Sequence, residues 1–246
     1  MEKGDKMRVA IGILPLKETP GVELFLHPVR YKNTITFEPM AEEAVIALIT
    51  QAVVEDNPDL PAEVREYFEE LDDGYLSSES NFDQFDLEAL NLTHLVVGRD
   101  IHLHPRLENI KRFLGILRDF GGVEIEGIEL PNYLTPSDPE LGELVETERS
   151  YEYALEEVAE LESFDGGVVY CCSDSGVVKK GELLCSTQFV IANRIKGFQV
   201  KIGDEIFHIK KVPDLKGTFG IIYRKVNSYP FVRVKVENWE GENGKK

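Results

Sequence analysis

The chain has 246 residues, 42% of them hydrophobic, with 45 Asp and Glu against 27 Lys and Arg and a formal net charge of −18. That apolar fraction suits one large or two modest folded domains and excludes a disordered tail, while the charge disfavours a general role on a phosphate backbone, so nucleic acid is not an expected partner. The charge is uneven: residues 187–246 carry 12 basic and 6 acidic side chains, residues 1–186 carry 15 and 39, and two differently charged domains follow from that division.

The amino terminus MEKGDKMRVAIGILPLKETPG breaks a very short apolar run with Pro15, Lys17 and Glu18, unlike a secretory signal. No stretch approaches the roughly 20 apolar residues of a membrane helix, so a cytoplasmic chain without direct membrane insertion is expected. Arg8 to Leu14 reads as the first strand and Val22 to Leu26 as the second, stopped by His27 and Pro28. Ala41, Ala44, Val45, Leu48, Ile49 and Ala52 recur at helical spacing and predict a helix over Glu42 to Val54, ended by Asn57 and Pro58. Pro61 opens a second helix, AEVREYFEELDD, with Gly74 placed as its C-cap. Ser77 to Asn81 is a polar connector, and Phe82 to Leu92 has room for a turn or two of helix.

Leu95 to Phe120, LVVGRDIHLHPRLENIKRFLGILRDF, carries the most information. Leu95, Val96 and Val97 form a buried strand, Gly98 permits a tight turn, and Pro105 suits the entry of a helix that places Leu107, Ile110, Leu114 and Leu117 on one face with Phe113 at its edge. The carboxyl end of such a strand is where open α/β sheets hold ligands. Arg99, Asp100, His102 and His104 lie there and are the candidate cofactor-binding residues. In an extended segment His102 and His104 would share one side and, with His94 near, invite a metal. No further Cys or His stands at a confirming spacing, so helix entry is the expected role, with no metal.

No catalytic set emerges. The pairs Glu42–Glu43, Asp72–Asp73 and Glu156–Glu157 are common on solvated helices, and carboxylates need convergent partners to do acid–base chemistry. Neither a phosphate-binding glycine motif nor a nucleophile elbow occurs, so no cofactor is expected.

After Phe120, Gly121 and Gly122 turn the chain into VEIEGIEL, whose alternation predicts an edge or half-exposed strand with one acidic face. Pro131 to Pro139 reads as a linker, followed by an acidic helix from about Pro139 to Leu161. From Val168 the segments VVYCC, LLCSTQFVIA, GFQVKI, EIFHIKKV, TFGIIYRKV and FVRVKV predict short strands of a small β-barrel. The expected organisation is a Rossmann-like α/β domain over residues 1–136, a linker and acidic helix over 137–163, a β-barrel-like domain over 164–240 and a disordered tail over 241–246. Cys171, Cys172 and Cys185 fall short of an iron–sulfur ligand set, and neighbours on a strand point to opposite faces, so they are expected as small buried hydrophobes. A basic ladder running from Arg194 through Lys216 to Lys235 is either a charged outer face or an interface for acidic surfaces.

The order GYLSSESN, then the Leu95 to Phe120 stretch, then ELLCSTQFVIANRIKGFQVKIGDE with DLKGTFGII, resembles the carboxyl-terminal part of the large iron–sulfur subunit of bacterial NADH-quinone oxidoreductase, respiratory complex I. That subunit belongs to the molybdopterin oxidoreductase superfamily. The resemblance implies an α/β portion followed by a barrel like the one that helps hold the pterin dinucleotide. It transfers no cluster or cofactor ligand, because the ferredoxin-like region and cysteine motifs of full-length members have no counterpart here. The implied role is a non-catalytic accessory subunit of the electron-transport complex, bound to the other subunits of its peripheral arm and peripheral on the inner membrane through them. The alternative is a small cofactor-binding oxidoreductase or an assembly factor using the loop from Arg99 to Arg106.

Overall fold

A computed structural model of the chain describes residues 7–130, 154–161, 164 and 166–239. The amino-terminal part runs β1 (Met7–Ile11), β2 (Leu24–Leu26), β3 (Arg30–Tyr31), β4 (Thr34–Ile35), α1 (Glu42–Val54), α2 (Ala62–Glu70), α3 (Asp73–Ser80), α4 (Gln84–Glu88), β5 (Leu92–Val97), α5 (Arg99–His102), α6 (Leu107–Asp119) and β6 (Glu124–Glu126). Five of these strands form a parallel sheet in the order β4-β2-β1-β5-β6. Val9 and Ile11 of β1 and Leu95 and Val97 of β5 join one core with α1 and α6. Helix α1 is buried from Glu42 to Thr50, nearly all round, because it packs against both α6 and α3. Helix α6 buries only Ile110, Phe113, Leu114, Ile116 and Leu117 with two small neighbours, as its amphipathic sequence requires.

The carboxyl-terminal part runs β7 (Val168–Cys172), β8 (Glu182–Cys185), α7 (Thr187–Ala192), β9 (Gln199–Ile202), β10 (Glu205–Lys211), β11 (Leu215–Lys216), β12 (Phe219–Tyr223), β13 (Phe231–Arg233) and β14 (Val236–Asn238). Seven strands make a mixed sheet in the order β13-β7-β12-β8-β10-β9-β14. Its two outermost strands, β13 and β14, are consecutive in the chain with only Val234 and Lys235 between them. The sheet therefore curls until its ends are brought together. One face, with Val169, Cys171, Leu183, Cys185, Phe189 and Phe207, forms its own core. The other, with Val168, Tyr170, Cys172 and Phe231, packs on Leu14 and Val29 from the amino-terminal part. The short antiparallel pair β3–β11 also joins the two halves.

Several expectations are corrected. Ser77 to Asn81 is not a connector: it lies mostly within α3, capped by the Asp72 side chain, which accepts from Tyr75 N, with Leu76 and Ser80 buried. Gly74 is accordingly inside that helix and caps nothing. Segment LLCSTQFVIA is a strand only as far as Cys185, since Ser186 accepts from the Phe189 N–H at 3.0 Å and starts α7. Gly98 has an extended backbone, and its missing side chain matters for proximity instead, because a Cβ there would stand 2.2 Å from Gly12 O. Edge strand β6 keeps Glu124 and Glu126 exposed with Ile125 between them, as the alternation predicts. Cys171 and Cys172 do point to opposite faces, and all three cysteines are buried and free.

The acidic helix expected up to Leu161 is not formed over residues 154–161, which make an irregular strap across α1, α2 and α6; the rest of that helix, the linker and the tail from 240 onward lie outside the described residues. Helix geometry loses there because the strap's backbone is bound by side chains. Asn109 accepts from Glu156 N and donates to Glu156 O, Tyr67 donates to the same carbonyl, and Ala159 N donates to buried Glu43. Arg106 closes the arrangement, with Nε on Glu43 at 3.1 Å and Nη1 on Glu156 at 2.7 Å. Arg106→Lys loses this forked geometry, and the strap is expected to open more easily by about 1 kcal/mol. Hydrogen exchange at Ala159 measures that opening, and unchanged protection would refute the assignment.

Among the described residues no helix is long and apolar enough to cross a membrane.

Candidate functional site

The parallel sheet reverses its direction of growth between β1 and β5, and ligands of open α/β sheets bind outside the carboxyl ends of strands at that position. A cleft of about 400 Å³ opens there, with Gly12, Gly98, Arg99, Asp100, Tyr170 and Cys172 among its lining residues. The curled sheet is its second wall. Helix α5 begins directly after β5 and is fixed by Gly12 O, which accepts from the Asp100 N–H at 3.2 Å.

Below the cleft the two halves meet through buried polar side chains. Asp100 is 2% exposed and accepts from the Tyr170 hydroxyl at 2.9 and 3.0 Å and from His27 Nε2 at 3.1 Å. The other nitrogen of His27 accepts from Val29 N, which leaves Nε2 as the protonated one. Burial and the neighbouring Asp100 carboxyl raise the Tyr170 phenol far above its ordinary pKa, so its hydroxyl stays a donor.

A second cluster adjoins the first. Tyr229 accepts from Met40 N at 2.7 Å and donates to Glu42 Oε1 at 2.6 Å. Glu42 is 1% exposed, and its other oxygen stands 3.6 Å from His104 Nε2 with no hydrogen bond. Burial pushes the Glu42 carboxyl up to about 8, with the nearby Asp100 adding to the shift. Burial also lowers His104 to about 4. His104 accepts from Arg106 N through Nδ1, so Nε2 donates to Met40 O at 3.3 Å. Phe231 stacks against His27, Tyr170 and Tyr229 and joins the clusters.

The four candidate residues do not converge on one point. Arg99 spans to the curled sheet, donating to Ser173 Oγ at 3.1 Å and Val226 O at 2.6 Å. Asp100 and His104 belong to the two buried clusters. His102 faces Gly127 O, 2.8 Å from Nε2, and α5 turns it away from His104, so the two imidazoles do not share a side. His94 instead lies between the two carboxylates of β6. Their ligand atoms fall within 4.8 Å of one another, but Glu124 meets Nδ1, Glu126 meets Nε2, and Arg8 already pairs with Glu126. The two carboxylates thus meet opposite nitrogens of the ring across adjacent strands, and Nε2 is buried with no hydrogen-bond partner among the described residues.

His27, Glu42, Tyr170 and Tyr229 were not among the sequence candidates. The one local signal was the carboxylate pair at the start of α1, where Glu42 takes Tyr229 and Glu43 takes Arg106. No protein-family model, curated protein or solved structure matches the chain.

Proposed function

We propose that the chain is a non-catalytic accessory subunit of the peripheral arm of a complex I-type NADH-quinone oxidoreductase, whose work is to bind neighbouring subunits. One observation carries the non-catalytic part: Arg99, Asp100, His102 and His104 are each engaged by the chain's own groups, Arg99 and Asp100 across the two halves and His102 and His104 within the amino-terminal one. In this reading the parallel sheet is a Rossmann-like domain and the curled sheet a barrel of the kind that holds a pterin dinucleotide in the superfamily. The resemblance to the large iron–sulfur subunit supplies the class of neighbour, a cytoplasmic location and a peripheral position on the inner membrane through partner subunits. Purification of the respiratory complex from gently solubilised membranes is expected to bring the chain along in fixed proportion to the other peripheral-arm subunits. Recovery only as a free monomer would overturn the proposal.

The cleft of about 400 Å³ at the strand ends favours a second reading, a small cofactor-binding oxidoreductase or assembly factor. Its discriminator is the absorption spectrum of the purified chain together with titration by nucleotide and pterin. A colourless protein that binds neither removes its redox version.

A further inference from the structure

A separate cleft of about 990 Å³, sharing no lining residue with the one at the strand ends, lies between the β3–β11 pair and the junction of β13 with β14. It is of the size that small molecules occupy. Arg30 and Lys216 both line it, and they stand directly opposite each other across the antiparallel β3–β11 pair. Like charges in that relation destabilise a ladder. Neither side chain has an ion pair or hydrogen bond among the described residues. Lys235 reaches the cleft from the far wall, already paired with Glu237 at 2.6 Å. Glu38, the carboxylate on the wall, has an interaction of its own. Phe37 and Phe219 give the cleft an apolar side.

In a chain with a net charge of −18, two opposed cations that face one cavity without an ion pair among the described residues are an unusual concentration of positive charge. We propose that this cleft binds a small polyanion, phosphate- or carboxylate-bearing, that spans Arg30 and Lys216. The bound anion turns the repulsion across β3–β11 into two attractive contacts, and the aromatic side accommodates an organic body.

Calorimetric titration of the full chain at low ionic strength, with inorganic pyrophosphate and separately with citrate, tests this. Saturable one-site binding is expected, weakened about tenfold or more in Arg30→Thr/Lys216→Thr. Threonine suits a strand, and without anion this variant is expected to melt no lower than the native chain. Millimolar pyrophosphate should raise the melting temperature of the native chain and not that of the variant. Tighter binding of pyrophosphate identifies a phosphate ligand, and tighter binding of citrate a polycarboxylate. Lys210→Thr/Lys211→Thr, which removes two exposed cations of β10 that line neither cleft, should leave binding unchanged. Failure of both probes to saturate the native chain overturns the proposal whatever the variants do. Equal weakening in both double variants also overturns it, because it would mean general attraction to positive charge. Should the threonine pair fold poorly, Lys216→Gln alone carries the comparison.

Discussion

Raising the pH from 6.5 to 8 is expected to cost the native chain roughly 1–2 kcal/mol of stability, and Glu42→Gln is expected to abolish that loss. Glu42 ionises near its ordinary 4.5 in the unfolded chain and near 8 in the fold, because burial disfavours the charged carboxylate. Below 4.5 both states hold the proton. Between 4.5 and 8 only the folded state does, so the stability contributed by the raised pKa is lost progressively as pH rises through that interval. His104 has the opposite sign. Burial lowers it from 6.5 to about 4, so its contribution is complete above 6.5 and is lost as pH falls toward 4. The two slopes oppose each other between 4.5 and 6.5, and Glu42 acts without that opposition from 6.5 to 8. The three buried thiols, all raised by burial, add their own loss at higher pH. Urea denaturation at a series of pH values measures the slope for both proteins. An unchanged alkaline slope in Glu42→Gln would mean that Glu42 is not the titrating group.

What the sequence disclosed about this fold follows the range of the interactions involved. Helices α1 and α6 were legible because their apolar residues recur at helical spacing, and strands β5 and β7 because they are short continuous apolar runs. Helix α3 was not, since its serines suggest a loop and its helical state depends on burying Leu76 and Ser80 as it packs against α1. In α7 the β-branched run argued for a strand, and one N-cap serine decided otherwise.

The candidate site divides in the same way. Asp100 and His104 were reachable from the strand-to-helix junction. Their partners were not, because His27 and Tyr170 stand 73 and 70 positions from Asp100, and Tyr229 stands 187 from Glu42. No local spacing encodes such a meeting. It arises only when the curled sheet folds against the strand ends. Arg30 and Lys216 illustrate the same limit, since each is an ordinary surface cation until strand register sets them opposite one another.

Asp100→Ala is expected to destabilise the chain by roughly 3–5 kcal/mol, the largest effect of any single substitution in the network. Removing the carboxyl leaves the Tyr170 hydroxyl and His27 Nε2–H buried without their acceptor, and each orphaned group carries its own desolvation cost. Asp100→Asn retains one acceptor oxygen and should lose roughly 1–2 kcal/mol, much as Tyr170→Phe, which removes a donor and leaves no orphan on the curled sheet. The pattern across the three variants carries the argument. If Asp100 acts by joining the two halves, Asp100→Ala and Tyr170→Phe will combine for less than the sum of their separate losses, since both break the same contact. Hydrogen exchange in the Asp100→Ala protein should then rise together at Val29 and along β7, which lie on opposite sides of the junction. Additive losses, with exchange raised on α5 alone, would show instead that Asp100 supports only its own turn and that the halves are held by their apolar contact.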